Sequence, residues 1–186
     1  MDAGEKYVPD ADALINLYLH FKRRAINALK KLAKRDALRI PEGVARELLR
    51  KSDRLSNLMT GLKKQASKFP QGLFVEVRTQ PRVRQEIVRL ETLYGEEIRV
   101  GGRVYPGFWA SRAGRRAADS QVVAAAKVLR GVAVSDDRAI ELACALEDVS
   151  CIGWTEFARR LGLMTKQLEL FGTAPSTNEP RSPSRC

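Results

Sequence analysis

The sequence predicts an α/β protein in which a mostly parallel sheet is flanked by helices, giving three layers. Short apolar segments alternate along the chain with longer segments whose apolar residues recur every three or four positions. Strands that alternate with helices build a parallel sheet, because each helix returns the chain to the same end of the sheet. A length of 186 residues suits one such core, with room for an insertion or a tail.

Five apolar segments are predicted to form the parallel strands. They cover residues 6–9, 37–40, 73–77, 131–135 and 149–152. A further segment, IRVGGRVY at residues 98–105, alternates around Gly101 and Gly102. Glycine adopts the positive φ angles that a two-residue turn requires, so we predict a small hairpin, inserted at about residues 96–109.

The intervals between these strands show helical spacing. The first helical pattern runs from Leu14 to Leu32, and we expect a break in it near residues 22–24. The other predicted helices cover residues 41–51, 53–68, 83–94, 117–130, 137–147 and 154–162.

The composition changes near the end of the chain. After Phe171 the residues are rich in Pro, Ser and Thr and poor in large apolar groups. Such a segment cannot bury enough apolar surface to order itself, which predicts a flexible tail. We therefore expect one globular domain over residues 1–165 and a tail over residues 166–186.

The composition also bears on the cellular compartment. No apolar run approaches the roughly 20 residues that a bilayer span requires, and the first residues, MDAGEKYV, lack the pattern of a signal peptide. The cysteines, Cys144, Cys151 and Cys186, show no paired C-x-x-C spacing, which argues against a zinc site or a disulfide framework. We expect a cytoplasmic protein with reduced thiols and no membrane contact.

The formal net charge is +11, and the excess of cations is uneven along the chain. Residues 22–54 hold twelve Lys or Arg against four Asp or Glu. This excess predicts a polyanionic partner such as nucleic acid. The alternative is a solvated basic helix face, which is the commoner origin of a charge run.

Acidic residues follow two of the predicted strands. Asp10 follows residues 6–9, and Asp136 and Asp137 follow residues 131–135. Ligands of open α/β sheets bind outside the carboxyl ends of the strands, so we expect these acids to meet in one crevice. Gathered carboxylates repel one another unless a cation neutralises them, and their oxygens suit Mg²⁺ or Mn²⁺.

Some acids also have a simpler explanation as helix caps. Asp12 would cap the first helix, and Asp136 would cap the helix that begins near Asp137. Glu42 would serve only the dipole of its own helix.

His20 is the only histidine in the chain. The sequence therefore offers no histidine pair for acid–base ribonuclease chemistry and little basis for a Ser-His-Asp site. We interpret His20 as structural.

Four motifs resemble those of the PIN-domain nucleases, in the same order and at fitting spacing over about residues 6–163. They are YVPDADALI, VARELL, AADSQVVAAA and VAVSDDRAI. The resemblance implies a compact PIN-like form of the α/β fold. It also implies metal-dependent hydrolysis of phosphodiester bonds in RNA or in single-stranded or flapped DNA, in which the ion lowers the pKa of a bound water.

The resemblance further implies roles for individual residues. One acid from each motif is implied as both a metal ligand and a catalytic residue: Asp10, Glu47, Asp119 and Asp137. Ser135 matches the hydroxyl position of the family, and Asp12 and Asp136 are implied as auxiliary acids. The implied cofactor is Mg²⁺ or Mn²⁺.

Aromatic and basic residues alternate from the hairpin to the third acidic motif. Aromatic rings stack on bases, and guanidinium groups bind phosphates. The predicted nucleic-acid-binding residues are Arg103, Trp109, Arg112, Arg115 and Arg116. The alternative is that Trp109 and its aromatic neighbours only anchor the hairpin to the domain.

The segment QLELF at residues 167–171 resembles the short peptide by which bacterial proteins bind the DNA sliding clamp. The resemblance implies that Leu170 and Phe171 enter an apolar pocket of the clamp, while Gln167 makes polar contacts and Leu168 completes the motif. The alternative is a last helical turn that packs Leu168 and Phe171 on the domain.

Three functions are therefore weighed. The first is a metal-dependent nuclease recruited to DNA by the sliding clamp. The second is a toxin endoribonuclease that is held by an antitoxin, and the third is a non-catalytic adaptor that binds nucleic acid or the clamp. A phospho-acceptor domain ranks below these, because VSCIGWTEF lacks the lysine that such a domain places beyond a late strand.

Overall fold

The computed structural model describes residues 4–50, 54–64, 73–110 and 118–164. Within these ranges the strands are β1 (Tyr7–Pro9), β2 (Ile40–Pro41), β3 (Phe74–Val75), β4 (Glu97–Val100), β5 (Arg103–Pro106), β6 (Val132–Val134) and β7 (Cys151–Ile152). The helices there are α1 (Ala11–Phe21), α2 (Arg23–Lys34), α3 (Glu42–Leu48), α4 (Arg54–Lys64), α5 (Pro81–Tyr94), α6 (Asp119–Leu129), α7 (Arg138–Leu146) and α8 (Trp154–Arg160). The predicted tail, residues 166–186, lies outside the described residues.

The central sheet is parallel. Strand β6 pairs with β1 on one side and β7 on the other, and β2 pairs with β3. A parallel bridge between Tyr7 and Leu38 joins the two groups, which gives the strand order β3-β2-β1-β6-β7. The predicted mostly parallel sheet is confirmed.

The connections place helices on both faces of this sheet. The chain moves from β1 to β2 in one direction and from β6 to β7 in the other. Because such crossovers are right-handed, α1 and α2 lie on one face and α7 lies on the opposite face. Helix α6 packs against both α5 and α7, and α8 packs against α1. The protein therefore has a three-layer α/β fold, as predicted.

The core lies between the sheet and these two layers. Val8, Ala133 and Val134 of the central strands are completely buried. Helix α6 is buried on most of its surface, since the consecutive residues 122–126 are all inaccessible to solvent. These residues are Val and Ala only, so α6 can approach the sheet and its neighbouring helices closely.

The first helical pattern is divided as expected. Helix α1 ends at Phe21, Lys22 adopts a φ of 46°, and α2 begins at Arg23. The second strand differs from its predicted range of 37–40. Only Ile40 and Pro41 form β2, because Pro41 has an extended ψ of 145° and therefore precedes α3 instead of entering its first turn.

The predicted hairpin is confirmed. Strands β4 and β5 pair in antiparallel register, and Gly101 and Gly102 form the turn with φ angles of 55° and 77°. Its base is held by a hydrogen bond from the Gly107 amide to the Glu96 carbonyl, 3.0 Å long.

Among the described residues, no helix combines the length and the apolar character that a bilayer crossing needs.

Candidate functional site

The candidate site lies where the strand connections diverge. Strands β1 and β6 are neighbours at the centre of the sheet, and their connections lead to opposite faces. Asp10 follows β1 directly, and its amide donates a hydrogen bond of 3.0 Å to the carbonyl of Val134 in β6. We call this end of the sheet the carboxyl edge. Divergent connections leave a crevice there, which is the usual ligand site of open α/β sheets.

Ser135 joins the two strand ends at the carboxyl edge. Its hydroxyl donates a hydrogen bond to Oδ2 of Asp10, and it accepts a bond of 3.0 Å from the Asp137 amide. Ser135 is completely buried and Asp10 is 7% exposed, so water competes little for these bonds. The hydroxyl therefore holds Asp10 in one orientation and ties it to the backbone before α7.

Two of the predicted metal ligands also cap helices. Oδ1 of Asp10 accepts a hydrogen bond of 2.6 Å from the Ala13 amide at the start of α1. Oδ1 of Asp137 accepts bonds from the amides of Ala139 (2.8 Å) and Ile140 (3.2 Å) at the start of α7. An N-cap residue needs an extended backbone, which Asp10 has with a ψ of 177°. Capping leaves Oδ2 of Asp10 to accept the bond from Ser135.

The caps differ from the simpler interpretation of the sequence. Asp12 lies inside the first turn of α1 and is exposed, so it is not the capping residue. Asp136 does not cap α7 either. Its Oδ2 instead accepts a bond of 3.0 Å from the Trp154 amide, which begins α8. The reason is tertiary, because β7 brings the start of α8 beside the end of β6.

Asp119 reaches the site as the first residue of α6. The start of α6 is held against α3 by Gln121, whose Oε1 accepts a bond of 2.9 Å from the Gly43 amide. A Cβ atom on Gly43 would lie only 2.9 Å from Cβ of Ala118, so this close approach requires glycine. Glu47 lies one turn further along α3, on an exposed position.

The charges of these acids act on one another. Burial, and after it the negative charges of Asp137, Asp10 and Glu47 in that order, together raise the pKa of Asp119 to about 7. The four acids come from four separate segments, and each of the other three is close enough to disfavour ionisation of Asp119. The structure therefore brings the predicted acids into one electrostatic cluster.

The pKa of Asp10 is also raised. Its pKa is raised to about 6, chiefly by burial and to a smaller extent by the charges of Asp12 and Asp137, while the hydrogen bonds from Ser135 and Ala13 act in the opposite direction. Both shifts arise mainly from burial, and neighbouring negative charge adds to each of them.

The donors fit a divalent cation in chemistry more closely than in spacing. Carboxylate oxygens are the hard ligands that Mg²⁺ and Mn²⁺ prefer. In the part of the chain that the structure describes, however, no three acidic, histidine or cysteine side chains stand in a metal-holding arrangement.

The hairpin residues divide into two groups. Arg103 lies exposed on β5. Trp109 is half-buried, and a Cβ atom on Gly95 would lie 2.7 Å from its ring. Its amide also donates a bond of 2.8 Å to the Gly95 carbonyl, and Phe108 beside it is buried against Tyr94. These contacts favour the interpretation in which the aromatic residues anchor the hairpin.

Other predicted residues lie outside the described ranges. They are Arg112, Arg115, Arg116, Gln167, Leu168, Leu170 and Phe171. His20 lies within the described ranges. It is exposed, and its ring stacks on that of Trp154 with the centroids 4.8 Å apart. Among the described residues, no side-chain hydrogen bond links His20 to the acids.

Sequence reasoning missed the residues that position the third acid. Gln121 and Gly43 join α6 to α3, and Ser120 donates a bond of 2.8 Å to Oε1 of Glu91 on α5. The available signal was a polar pair directly after Asp119, at the start of an otherwise apolar helix. Nothing in the sequence indicates which distant elements those side chains contact.

Comparison with known proteins adds a distant likeness. No family model matches the chain, and no curated protein matches it. The structure is similar to the crystal structure of PAE2754 from Pyrobaculum aerophilum, with a TM-score of 0.45 and 18% sequence identity. The match covers 87% of this chain and 98% of that chain.

Proposed function

We propose that this protein is a PIN-like nuclease that uses Mg²⁺ or Mn²⁺ to hydrolyse phosphodiester bonds in RNA or in single-stranded or flapped DNA. One observation carries the proposal. Among the described residues, no lysine or arginine forms an ion pair with any acid of the cluster, although the chain has a formal net charge of +11. Gathered carboxylates without a protein counter-ion, two of them held away from solvent, are best explained by an external cation.

The proposed ligands are Asp10, Glu47, Asp119 and Asp137. When bound, the ions would lower the pKa of a water molecule and offset the charge that develops on the phosphate. The protein's part is to hold the ligands ready. Ser135 and the Ala13 amide orient Asp10, and the start of α7 orients Asp137, so neither carboxylate has to be ordered during turnover.

The positive charge of the chain supports a nucleic-acid substrate. Exposed Arg103 on the hairpin and the cations that follow it in sequence would contact the phosphates of the strand. The tail segment QLELF supports recruitment to DNA through the sliding clamp, because a clamp-binding peptide works on a tether outside the catalytic domain.

The decisive experiment is cleavage of end-labelled single-stranded RNA, single-stranded DNA and flapped DNA with Mn²⁺ or Mg²⁺. Asp10→Asn and Asp119→Asn should each lower the rate at least about 100-fold, since even the partners of metal ligands are worth 10- to 100-fold. The matched control is Asp148→Asn, which makes the same change in the exposed turn after α7. Full activity in both site variants would overturn the proposal.

A second measurement tests the metal without relying on activity. Mn²⁺ should raise the melting temperature of the parent protein, because an ion that binds only the folded state stabilises it. The rise should be absent in Asp119→Asn and retained in Asp148→Asn. Binding of nucleic acid without cleavage would favour the adaptor, and growth arrest relieved by a neighbouring small protein would favour the toxin.

A further inference from the structure

The exposed face of α2 carries positive charge that the protein does not neutralise. Residues 22–35 include seven lysines and arginines and no acid. All seven are exposed, and none forms an ion pair with a carboxylate of the described residues. Arg46 and Arg138, which are also exposed, instead pair with acids on their own helices.

Part of this face lines a groove of about 280 Å³. One wall consists of Arg24, Asn27, Lys31 and Arg35, whose spacings of three and four place them on one side of α2. The other wall is the turn at residues 161–163 after α8, to which Arg24 donates a hydrogen bond of 3.3 Å at the Leu163 carbonyl. The groove is therefore built between two elements and is not a chance row of surface cations.

The groove lies at the opposite end of the sheet from the acids. Asp10 caps the start of α1, and α2 begins beyond the far end of that helix. The 11 residues of α1 span about 16 Å. After α2 the chain reaches Leu38, which pairs with Tyr7 at the beginning of β1. Cations in this groove therefore cannot contact the same phosphate as the acid cluster.

The chemistry of α2 limits what can bind there. Ala25, Leu29, Leu32 and Ala33 are at most 3% exposed, and Ile26 and Ala28 pack partly buried against the core, so the helix offers no exposed apolar face to a bilayer or to a partner helix. What remains is a row of cations with one amide, Asn27. Regularly spaced positive charge in a groove complements a polymer with a regularly spaced negative charge.

We propose that the α2 groove binds the phosphate backbone of a single-stranded nucleic acid, at a second contact remote from the acid cluster. The inference rests on the proposed function for its choice of nucleic acid among polyanions. A strand that reaches both surfaces gains affinity from both, so binding should strengthen with strand length until the groove is occupied.

The test compares Lys31→Gln/Arg35→Gln with Arg82→Gln/Arg84→Gln. The control pair removes the same charge from exposed positions of α5, and glutamine suits a helix in both variants. Binding of fluorescent single-stranded RNA and DNA of about 24 nucleotides is measured in EDTA between about 50 and 200 mM salt. Lys31→Arg/Arg35→Lys keeps both charges and should bind as the parent does.

Loss of two phosphate contacts should lower the slope of log affinity against log salt by about 1.4, since each single-strand contact contributes about 0.7. The control pair should leave the slope unchanged. An unchanged slope in Lys31→Gln/Arg35→Gln would overturn the inference. The inference would also be overturned if Lys31→Gln/Arg35→Gln lost binding only to anionic lipid vesicles or to polyglutamate and kept its binding to RNA and DNA.

The same variants separate this inference from the proposed function. Lys31→Gln/Arg35→Gln should still cleave a substrate too short to reach α2, whereas Asp119→Asn should bind the long strand and cleave neither. Normal cleavage by both Asp119→Asn and Asp10→Asn would refute the proposed metal site and leave the groove standing. Unaltered binding by Lys31→Gln/Arg35→Gln would refute the groove and leave the proposed nuclease standing.

Discussion

The Ser135 hydroxyl donates a hydrogen bond to Oδ2 of Asp10, although the two residues are 125 positions apart in sequence. The bond crosses from the end of β6 to the end of β1, where the connections of the sheet diverge. Because both residues are buried, the carboxylate has little freedom to turn toward another donor. The first proposed metal ligand is thus oriented by a residue of the fourth acidic motif.

Ser135→Ala should weaken Mn²⁺ binding about 10- to 100-fold, the usual cost of removing a group that orients a ligand. Titration calorimetry measures the affinity, and thermal unfolding verifies the fold. Ser150→Ala, at an exposed position before β7, is the matched control. Mn²⁺ affinity equal to that of the parent would show that Ser135 does not orient the site.

Trp109→Ala should lower the free energy of unfolding by about 3 kcal/mol, because the half-buried ring packs on Gly95 at the base of the hairpin. Urea unfolding measures this change. Arg103→Gln, on the exposed strand of the same hairpin, should stay within about 0.5 kcal/mol of the parent. Unchanged stability of Trp109→Ala with weaker RNA binding would instead favour a base-stacking role.

Glu147 should make stability depend on pH. Burial raises its pKa, but hydrogen bonds from Arg89, Lys127 and Tyr94 outweigh that effect and lower the pKa to about 2. An unfolded glutamate titrates near about 4.3, so this stabilisation is complete above that pH. It is lost as the pH falls from there toward 2, where the folded carboxylate also becomes protonated.

Glu147→Gln should therefore cost about 2 kcal/mol at pH 7, because it removes charge-assisted bonds that join α5, α6 and α7. Urea unfolding at pH 7 and pH 3 should show a smaller difference from the parent at the lower pH. Glu141→Gln, which breaks only the surface pair with Arg138, is the control. A pH-independent difference would contradict this account.

Leu170→Ala/Phe171→Ala should lower affinity for a bacterial sliding clamp by about 2 kcal/mol or more, as expected for the apolar anchors of a short peptide. Surface plasmon resonance with immobilised clamp measures it. Pro175→Ala/Ser176→Ala changes the same segment outside the motif and should bind as the parent does. Equal binding by both double variants would refute the clamp resemblance, while cleavage should be unaffected in either.

Local patterns predicted most of the fold. The Gly101-Gly102 turn, the division of the first helix near Lys22 and the strand before Asp10 depend on residues within one or two turns of each other. The range of β2 was wrong, because Pro41 is extended by pairing with β3 instead of starting α3. A strand of two residues has too little pattern of its own to be delimited from sequence.

Short-range chemistry also indicated which residues could form a site, since strand-ending acids and a basic α2 are visible along the chain. Contacts between distant segments decided the rest. Asp136 accepts a hydrogen bond from the first amide of α8, and the Gly43 amide donates one to Gln121. The α2 groove lies at the end of the sheet away from the acids. Propensity and periodicity act over a few residues, whereas burial, mutual charge and hydrogen-bond partners exist only after the chain has packed.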